Sequence, residues 1–225
     1  MILQNKKKSN FHKITTIFGG TFDPIHNGHL IPVTQLAKKI GLKKIILVPN
    51  NLPSHRQKPV ANIQQRIEMI KLAIKNNPLF SIDFREINQI PSYTITTLIS
   101  FRKEIGWKKP LIFILGEDSL LSIQTWFCWK KILTLCHLIV CARSNSNIYF
   151  QNKIMQKWLK EHQIHNPKIL NYKVSNKIYL FKNPLLNISA TTIRQRKNKK
   201  KSCHNMLPES VSLYIDKNNL YQDYF

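Results

Sequence analysis

Short apolar runs recur along the chain, separated by stretches in which apolar residues return at helical spacing. The runs Ile14–Phe18, Lys44–Pro49, Leu79–Phe84, Leu111–Leu115, Leu138–Cys141 and Ile178–Phe181 read as strands. Between the second and third, Ile63, Ile67, Ile70 and Ile74 fall on one helical face. Thr94–Arg102 and Phe150–His162 read as helices, and a further helical pattern opens near Gly28. Asn187–Arg196 begins a last helical segment, Lys197–Lys201 reads as a charged loop, and Val211–Ile215 within Pro208–Lys217 as a short closing helix. Alternating β and α units predict an α/β fold: a Rossmann-like parallel sheet with helices on both faces and a small C-terminal helical segment. Ligands of such sheets bind beyond the carboxyl ends of the strands. The marked polar residues fall there: a glycine-rich turn after the first strand, Asn50 after the second, Gly116-Glu117-Asp118 after the fourth and Arg143 after the fifth.

Length and composition narrow the class. A chain of 225 residues with 43% apolar content predicts one domain, residues 13–225, behind a basic extension at 1–12. No run reaches the length of a transmembrane helix. The lysines of the first thirteen residues precede no apolar stretch, so they do not read as a secretory signal. Cys128, Cys136, Cys141 and Cys203 form no CxxC pair, and three of them lie in apolar surroundings. Buried, reduced thiols and a cytoplasmic location are expected.

The formal charge of +24 raises the question of a nucleic-acid or membrane partner. Lysine makes up 28 of the 35 basic residues, beside 31 isoleucines and 21 asparagines, and all three types are encoded by A- and T-rich codons. The lysines are spread over the chain rather than set in one stripe, so the charge reads as codon bias and a solvated surface. No recognition motif or aromatic-basic patch accompanies it, and neither a specific nucleic acid nor a membrane is expected as partner.

The densest chemistry is Gly19-Gly20-Thr21-Phe22-Asp23-Pro24-Ile25-His26-Asn27-Gly28-His29. Glycines let backbone approach a bulky anion. His26 and His29, three apart, share one face of a helix's first turn. A helix start adds free N–H groups and a positive dipole end. These are parts for holding a polyphosphate. A second such element is Ile188-Ser189-Ala190-Thr191-Thr192-Ile193-Arg194. Ser189 is a good N-cap whose hydroxyl and following N–H groups suit phosphate oxygens. Arg194, five residues on, supplies a fork of donors to the same anion.

The first string resembles the nucleotidyltransferase signature, in which a glycine-rich turn leads into HxGH, here His26-Asn27-Gly28-His29. The second matches the ISxTxIR element of adenylyl-transferring members residue for residue. From about Thr16 to Tyr221 the chain resembles the bacterial nicotinate-nucleotide adenylyltransferases. Supporting pieces are Pro49-Asn50-Asn51-Leu52-Pro53-Ser54-His55-Arg56, Pro91-Ser92-Tyr93-Thr94, Gly116-Glu117-Asp118-Ser119-Leu120 and Trp126-Phe127-Cys128-Trp129. Class I tRNA synthetases share an HxGH-like element but need a KMSKS-like loop, which Lys197-Asn198-Lys199-Lys200-Lys201 poorly imitates.

The resemblance implies transfer of AMP from ATP to nicotinate mononucleotide, with magnesium carried by ATP and no protein-built metal cage. It implies His26, His29 and Arg194 as the catalytic set. Gly19, Gly20, Thr21, Phe22, Gly116, Asp118, Ser189 and Thr192 would bind ATP, Asp118 through the ribose. Asn50, Arg56, Tyr93, Thr94, Trp126, Phe127 and Arg143 would bind the mononucleotide. There Trp126 stacks on the nicotinate ring, and N–H groups near Thr94 and Phe127 receive its carboxylate. Trp126 also reads as ordinary core and Asp118 as a helix N-cap. The family often has Arg-Pro-Gly after the fifth strand where this chain has Arg143-Ser144-Asn145, a more flexible turn.

Overall fold

A computed structural model describes residues 14–52, 58–143, 148–183, 186 and 188–222, with Arg143 as backbone only. Arg56, the side chain of Arg143, Asn187, the turn at 144–145 and the extension at 1–12 lie outside the described residues.

The strands are β1 (Thr15–Gly20), β2 (Ile45–Pro49), β3 (Phe80–Ile82), β4 (Leu111–Gly116), β5 (His137–Arg143), β6 (Gln163–Ile164) and β7 (Ile178–Asn183). They form one sheet in the order β3-β2-β1-β4-β5-β7-β6, and every neighbouring pair is parallel. The helices are α1 (Asn27–Ile40), α2 (Ile63–Ile74), α3 (Thr94–Ile105), α4 (Glu117–Leu121), α5 (Trp129–Leu135), α6 (Lys153–His162), α7 (Ala190–Asn198) and α8 (Glu209–Lys217).

Strand side chains alternate between the two faces, and both faces are buried. Phe18, Ile112, Ile114 and Ile139 pack into one core with residues of α1, α2, α7 and α8. Ile17, Leu111, Phe113, Leu115, Leu138 and Val140 pack into the other with residues of α3, α5 and α6. Double burial is why the strands read as continuous apolar runs rather than as alternation.

Sheet order reverses between β1 and β4, which lie side by side at the centre with Ile17 opposite Phe113. Connections leave the two strands in opposite directions there, so a crevice opens beyond their carboxyl ends. The glycine-rich turn and Gly116-Glu117-Asp118 both meet it.

Several expectations need correction. β6 and α5 have no counterpart among the expected elements, and α4 is foreshadowed only by Asp118 as a possible N-cap; β6 has two residues and α4 five, too short to carry a periodic signal. α6 starts at Lys153 rather than Phe150, because the Asn152 side chain caps it by accepting from the N–H groups of Ile154 and Met155. Lys197 and Asn198 belong to α7, not to a loop; Lys197 Nζ reaches Asp216 of α8 at 2.7 Å, which ties the two helices. The α2 isoleucine stripe is not the buried face. Arg66, Met69 and Ile70 are buried, while Ile63, Ile67 and Ile74 are half-buried.

Candidate functional site

A cavity of about 730 Å³ occupies the crevice. Among the residues expected to act, Gly19, Gly20, Thr21, Phe22, His26, His29, Asn50, Thr94, Gly116, Asp118, Trp126, Ser189 and Arg194 line it. Thr192 does not; its N–H donates to Ser189 Oγ at 3.1 Å, completing the cap of α7. Tyr93 and Phe127 are also absent from the wall, where they pair with each other at a ring separation of 4.8 Å.

The paired histidines sit together at the start of α1, on one face of its first turn. His26 is the N-cap and His29 the third helical residue. His26 N–H donates to His29 Nδ1 at 3.3 Å, and the two rings stack with centroids 3.7 Å apart. With Nδ1 accepting, a neutral His29 ring carries its proton on Nε2. Phe22 stands edge-on to His29 at 5.2 Å and to Phe18 at 5.5 Å, so the imidazole is held from three sides. His26 is only 4% exposed, and burial pulls its pKa down to about 4, leaving a neutral ring at pH 7.

Gly19, Gly20 and Gly28 are fixed by close approach within the protein. A Cβ at Gly28 would lie 2.9 Å from the His26 ring and 3.0 Å from the Ile188 carbonyl oxygen, so only glycine lets α1 meet the Ser189 segment. Cβ atoms at Gly19 and Gly20 would each come within 2.9 Å of a ring, Phe113 and Phe22 respectively. At Gly116 a Cβ would meet nothing within 4 Å, so the space there is open cavity.

Ser189 is the N-cap of α7, as its sequence suggests. Arg194 Nη1 donates to the Asp23 main-chain oxygen at 2.7 Å, and Nη2 approaches Thr191 Oγ1 at 3.4 Å. Asp118 is not a helix N-cap: Gly116 holds that position, and Asp118 lies in the first turn of α4 facing the cavity. Trp126 is packed into the core and is also part of the cavity wall. It is 9% exposed, packs edge-on to Phe113 at 6.3 Å, and still lines the cavity. Thr94 is the first residue of α3, where a backbone N–H has no partner within its own helix.

Sequence reading missed three charged residues. Arg66, 1% exposed, donates to the carbonyls of Thr21 and Asn50 at 2.7 Å, Asn51 at 2.9 Å and Ala61 at 3.3 Å. One cation thus ties the glycine-rich turn to the loop after β2, and an arginine in α2 gave no sign of it. Asp23 lies in the signature but had no assigned task. Glu86, 7% exposed on the cavity wall, accepts from the Thr97 hydroxyl, and burial pushes its pKa up. Among the described residues no three His, Cys, Asp or Glu side chains gather as a metal-binding group, and no helix is long and apolar enough to cross a membrane.

His137, fully buried in β5 with its ring against the Lys173 carbonyl at 2.8 Å, is also pulled down to about 4 by burial. Both imidazoles bind protons more weakly folded than unfolded, where the ordinary value is 6.5. Between those values the unfolded chain holds more protons, so stability rises with pH there and is lost as pH falls from 6.5 towards 4. Melting temperature is expected to fall over that window. An NMR titration should show two imidazoles still neutral at pH 5.5; protonation of both near pH 6.5 contradicts this.

A reversed parallel sheet order, a glycine turn running into paired histidines, and a capped serine–arginine helix facing the same cavity together define a nucleotidyltransferase. The cytidylyltransferase-like family model matches residues 17–196, and the chain belongs to that family. Within it the chain falls among the nicotinate-nucleotide adenylyltransferases. It is 48% identical over 216 residues to a Yersinia pestis protein named a probable nicotinate-nucleotide adenylyltransferase, covering 96% of this chain and 98% of the relative. A Pectobacterium atrosepticum protein of the same name is 49% identical over 210 residues, covering 93% and 99%. The fold matches a solved Plasmodium falciparum nicotinic acid mononucleotide adenylyltransferase complexed with NaAD, with a TM-score of 0.69 at 21% identity, covering 93% of this chain and 98% of that one.

Proposed function

We propose that residues 13–225 form one catalytic domain that transfers AMP from ATP to nicotinate mononucleotide, releasing pyrophosphate and forming deamido-NAD. The observation that carries this reading is one cavity walled by the starts of α1 and α7, by the Trp126 indole and by Thr94 of α3. The identity to relatives of that name over nearly the whole chain supports it.

A phosphate oxygen of the mononucleotide attacks the α-phosphorus of ATP. The new P–O bond forms as the bond to the β-phosphate oxygen breaks, and pyrophosphate leaves. No protein nucleophile is needed, so positioning and charge stabilisation supply the catalysis. ATP enters as its magnesium complex, with the metal held mainly by phosphate oxygens and water. His29 donates from Nε2 to the phosphate oxygens on which charge develops. Neutral His26 holds His29 from behind and offers a donor rather than a cation. Ser189, the N–H groups of α7 and Arg194 take the β- and γ-phosphates, while Thr21 and Phe22 contribute backbone contacts. Asp118 accepts from the ribose hydroxyls, in the open space kept by Gly116. Trp126 stacks on the nicotinate ring, and the first N–H groups of α3 receive its carboxylate. Asn50, Arg56 and Arg143 serve the rest of the mononucleotide. Such an enzyme works in the cytoplasm, where its free cysteines stay reduced.

Pyrophosphate release from ATP with nicotinate mononucleotide, with nicotinamide mononucleotide, and with RNA tests the reading. Release that depends on the nicotinate substrate and ignores RNA is expected; release that requires RNA overturns it. Arg194→Lys replaces a fork with a point charge. It should raise the KM for ATP by ~10-fold, on the scale of a lost hydrogen bond to a charged group, with the mononucleotide KM unchanged. An unaltered ATP dependence removes Arg194 from the phosphate site.

A further inference from the structure

Asp23 is 5% exposed, and its carboxylate is occupied from several sides. Oδ2 accepts from the Val60 N–H at 2.8 Å; Oδ1 accepts from the Ala61 N–H at 3.1 Å and from the Tyr221 hydroxyl at 2.9 Å. Tyr221 follows α8, lies 198 residues along the chain from Asp23 and is itself 3% exposed. The remaining neighbour is Arg194 on the cavity wall. Its Nη1 bonds the main-chain oxygen of Asp23 at 2.7 Å but stands 3.9 Å from carboxylate Oδ2. A guanidinium therefore lies beside a buried carboxylate without closing onto it.

Opposite charges at that separation attract strongly where water is scarce. A bidentate arginine–carboxylate pair is the geometry both groups favour. It does not form here because Oδ1 already accepts twice, from the Ala61 amide and the Tyr221 hydroxyl; only Oδ2, which accepts once, keeps an open position, and one oxygen cannot seat both arms of the fork. Arg66, the other guanidinium near Asp23, is committed to its four carbonyls.

We infer that Tyr221 is a positioning residue for ATP: its hydroxyl keeps Asp23 from capturing Arg194 and so leaves the Arg194 fork turned to the cavity. This rests on the phosphate-binding role proposed for Arg194. Burial, and then the charge of Asp23, push the Tyr221 pKa far above its ordinary value, so the hydroxyl remains a donor at working pH. Without it, Oδ1 has an open acceptor position and Arg194 is the nearest cation free to take it. The closed pair draws the guanidinium out of the phosphate site. The mononucleotide side of the cavity, around Trp126 and Thr94, is not touched.

Tyr221→Phe keeps the ring and removes only the hydroxyl. ATP affinity of the intact chain, measured by calorimetry with MgATP and no second substrate, should fall about 5- to 10-fold, the scale of a hydrogen bond to a charged group. Nicotinate mononucleotide affinity should not change, and kcat should return to the wild-type value at saturating ATP. In an Arg194→Ala background the same substitution should weaken ATP no further, because the residue it acts through is gone. Wild-type ATP affinity in Tyr221→Phe overturns the inference. So does an equal loss in the Arg194→Ala background, the mark of a purely structural tyrosine. A wild-type chain that binds ATP but does not adenylylate nicotinate mononucleotide fails the functional reading alone, and the ATP titrations still decide the role of Tyr221.

Discussion

Replacing His29 with alanine should lower kcat by ~10²–10³-fold, the usual cost of removing one donor aimed at developing charge. The Nδ1–amide bond to His26 orients the ring before substrate arrives, so a large share of its effect is preorganisation. The ring is not loosely held. It stacks on His26 and accepts the N-cap amide, so the variant also loses part of the α1 cap, about 1 kcal/mol. Turnover at saturating ATP, measured well below the melting temperature, separates the two effects. Near-normal kcat in folded His29→Ala removes the histidine from the chemistry.

The second large effect is expected at Trp126. Truncation to alanine empties a nearly buried position against Phe113, and large aromatic truncations cost ~3–5 kcal/mol. A clear drop in melting temperature is therefore expected even if the indole never meets a substrate. The binding titrations carry the functional information. Stacking on nicotinate predicts a loss for the mononucleotide beyond any loss for ATP, by the ~0.5–1.5 kcal/mol of an aromatic pair. Trp126→Phe, which keeps a ring and most of the volume, should recover most of the stability and part of the mononucleotide affinity. Equal weakening of both ligands makes Trp126 core and nothing more.

The sheet was legible because double burial writes itself as isoleucine-rich runs, and a parallel sheet places its polar chain reversals on one edge. The cavity wall was legible where its polar residues are contiguous, as at His26–His29 and Ser189–Arg194. It was not legible where a side chain acts on backbone. Arg66 spends its fork on the carbonyls of Thr21, Asn50, Asn51 and Ala61, and carbonyls have no sequence identity. The α2 stripe misled for the same reason: a buried arginine took the inner face and turned Ile63 and Ile67 partly outward. Asp23 was invisible because its partners at 60–61 and 221 come from distant parts of the chain. The short helices α4 and α5 were hidden in the Gly116 and Trp126 strings, whose polar and aromatic residues read as site chemistry instead.

The contacts of α1 with the last segments of the chain bear on how the enzyme is made. Asn27 donates from its backbone to the Met206 carbonyl at 2.9 Å and from its side chain to Asn205 at 2.9 Å, while Gly28 abuts Ile188. The paired histidines leave the ribosome well over a hundred residues before Ile188, Asn205 and Met206, which brace the start of their helix. Strands β1 to β5 can assemble as a nascent sheet while the cavity still lacks one wall. A chain arrested before residue 188 should be folded in part yet unable to grip ATP, so synthesis itself withholds activity from incomplete copies.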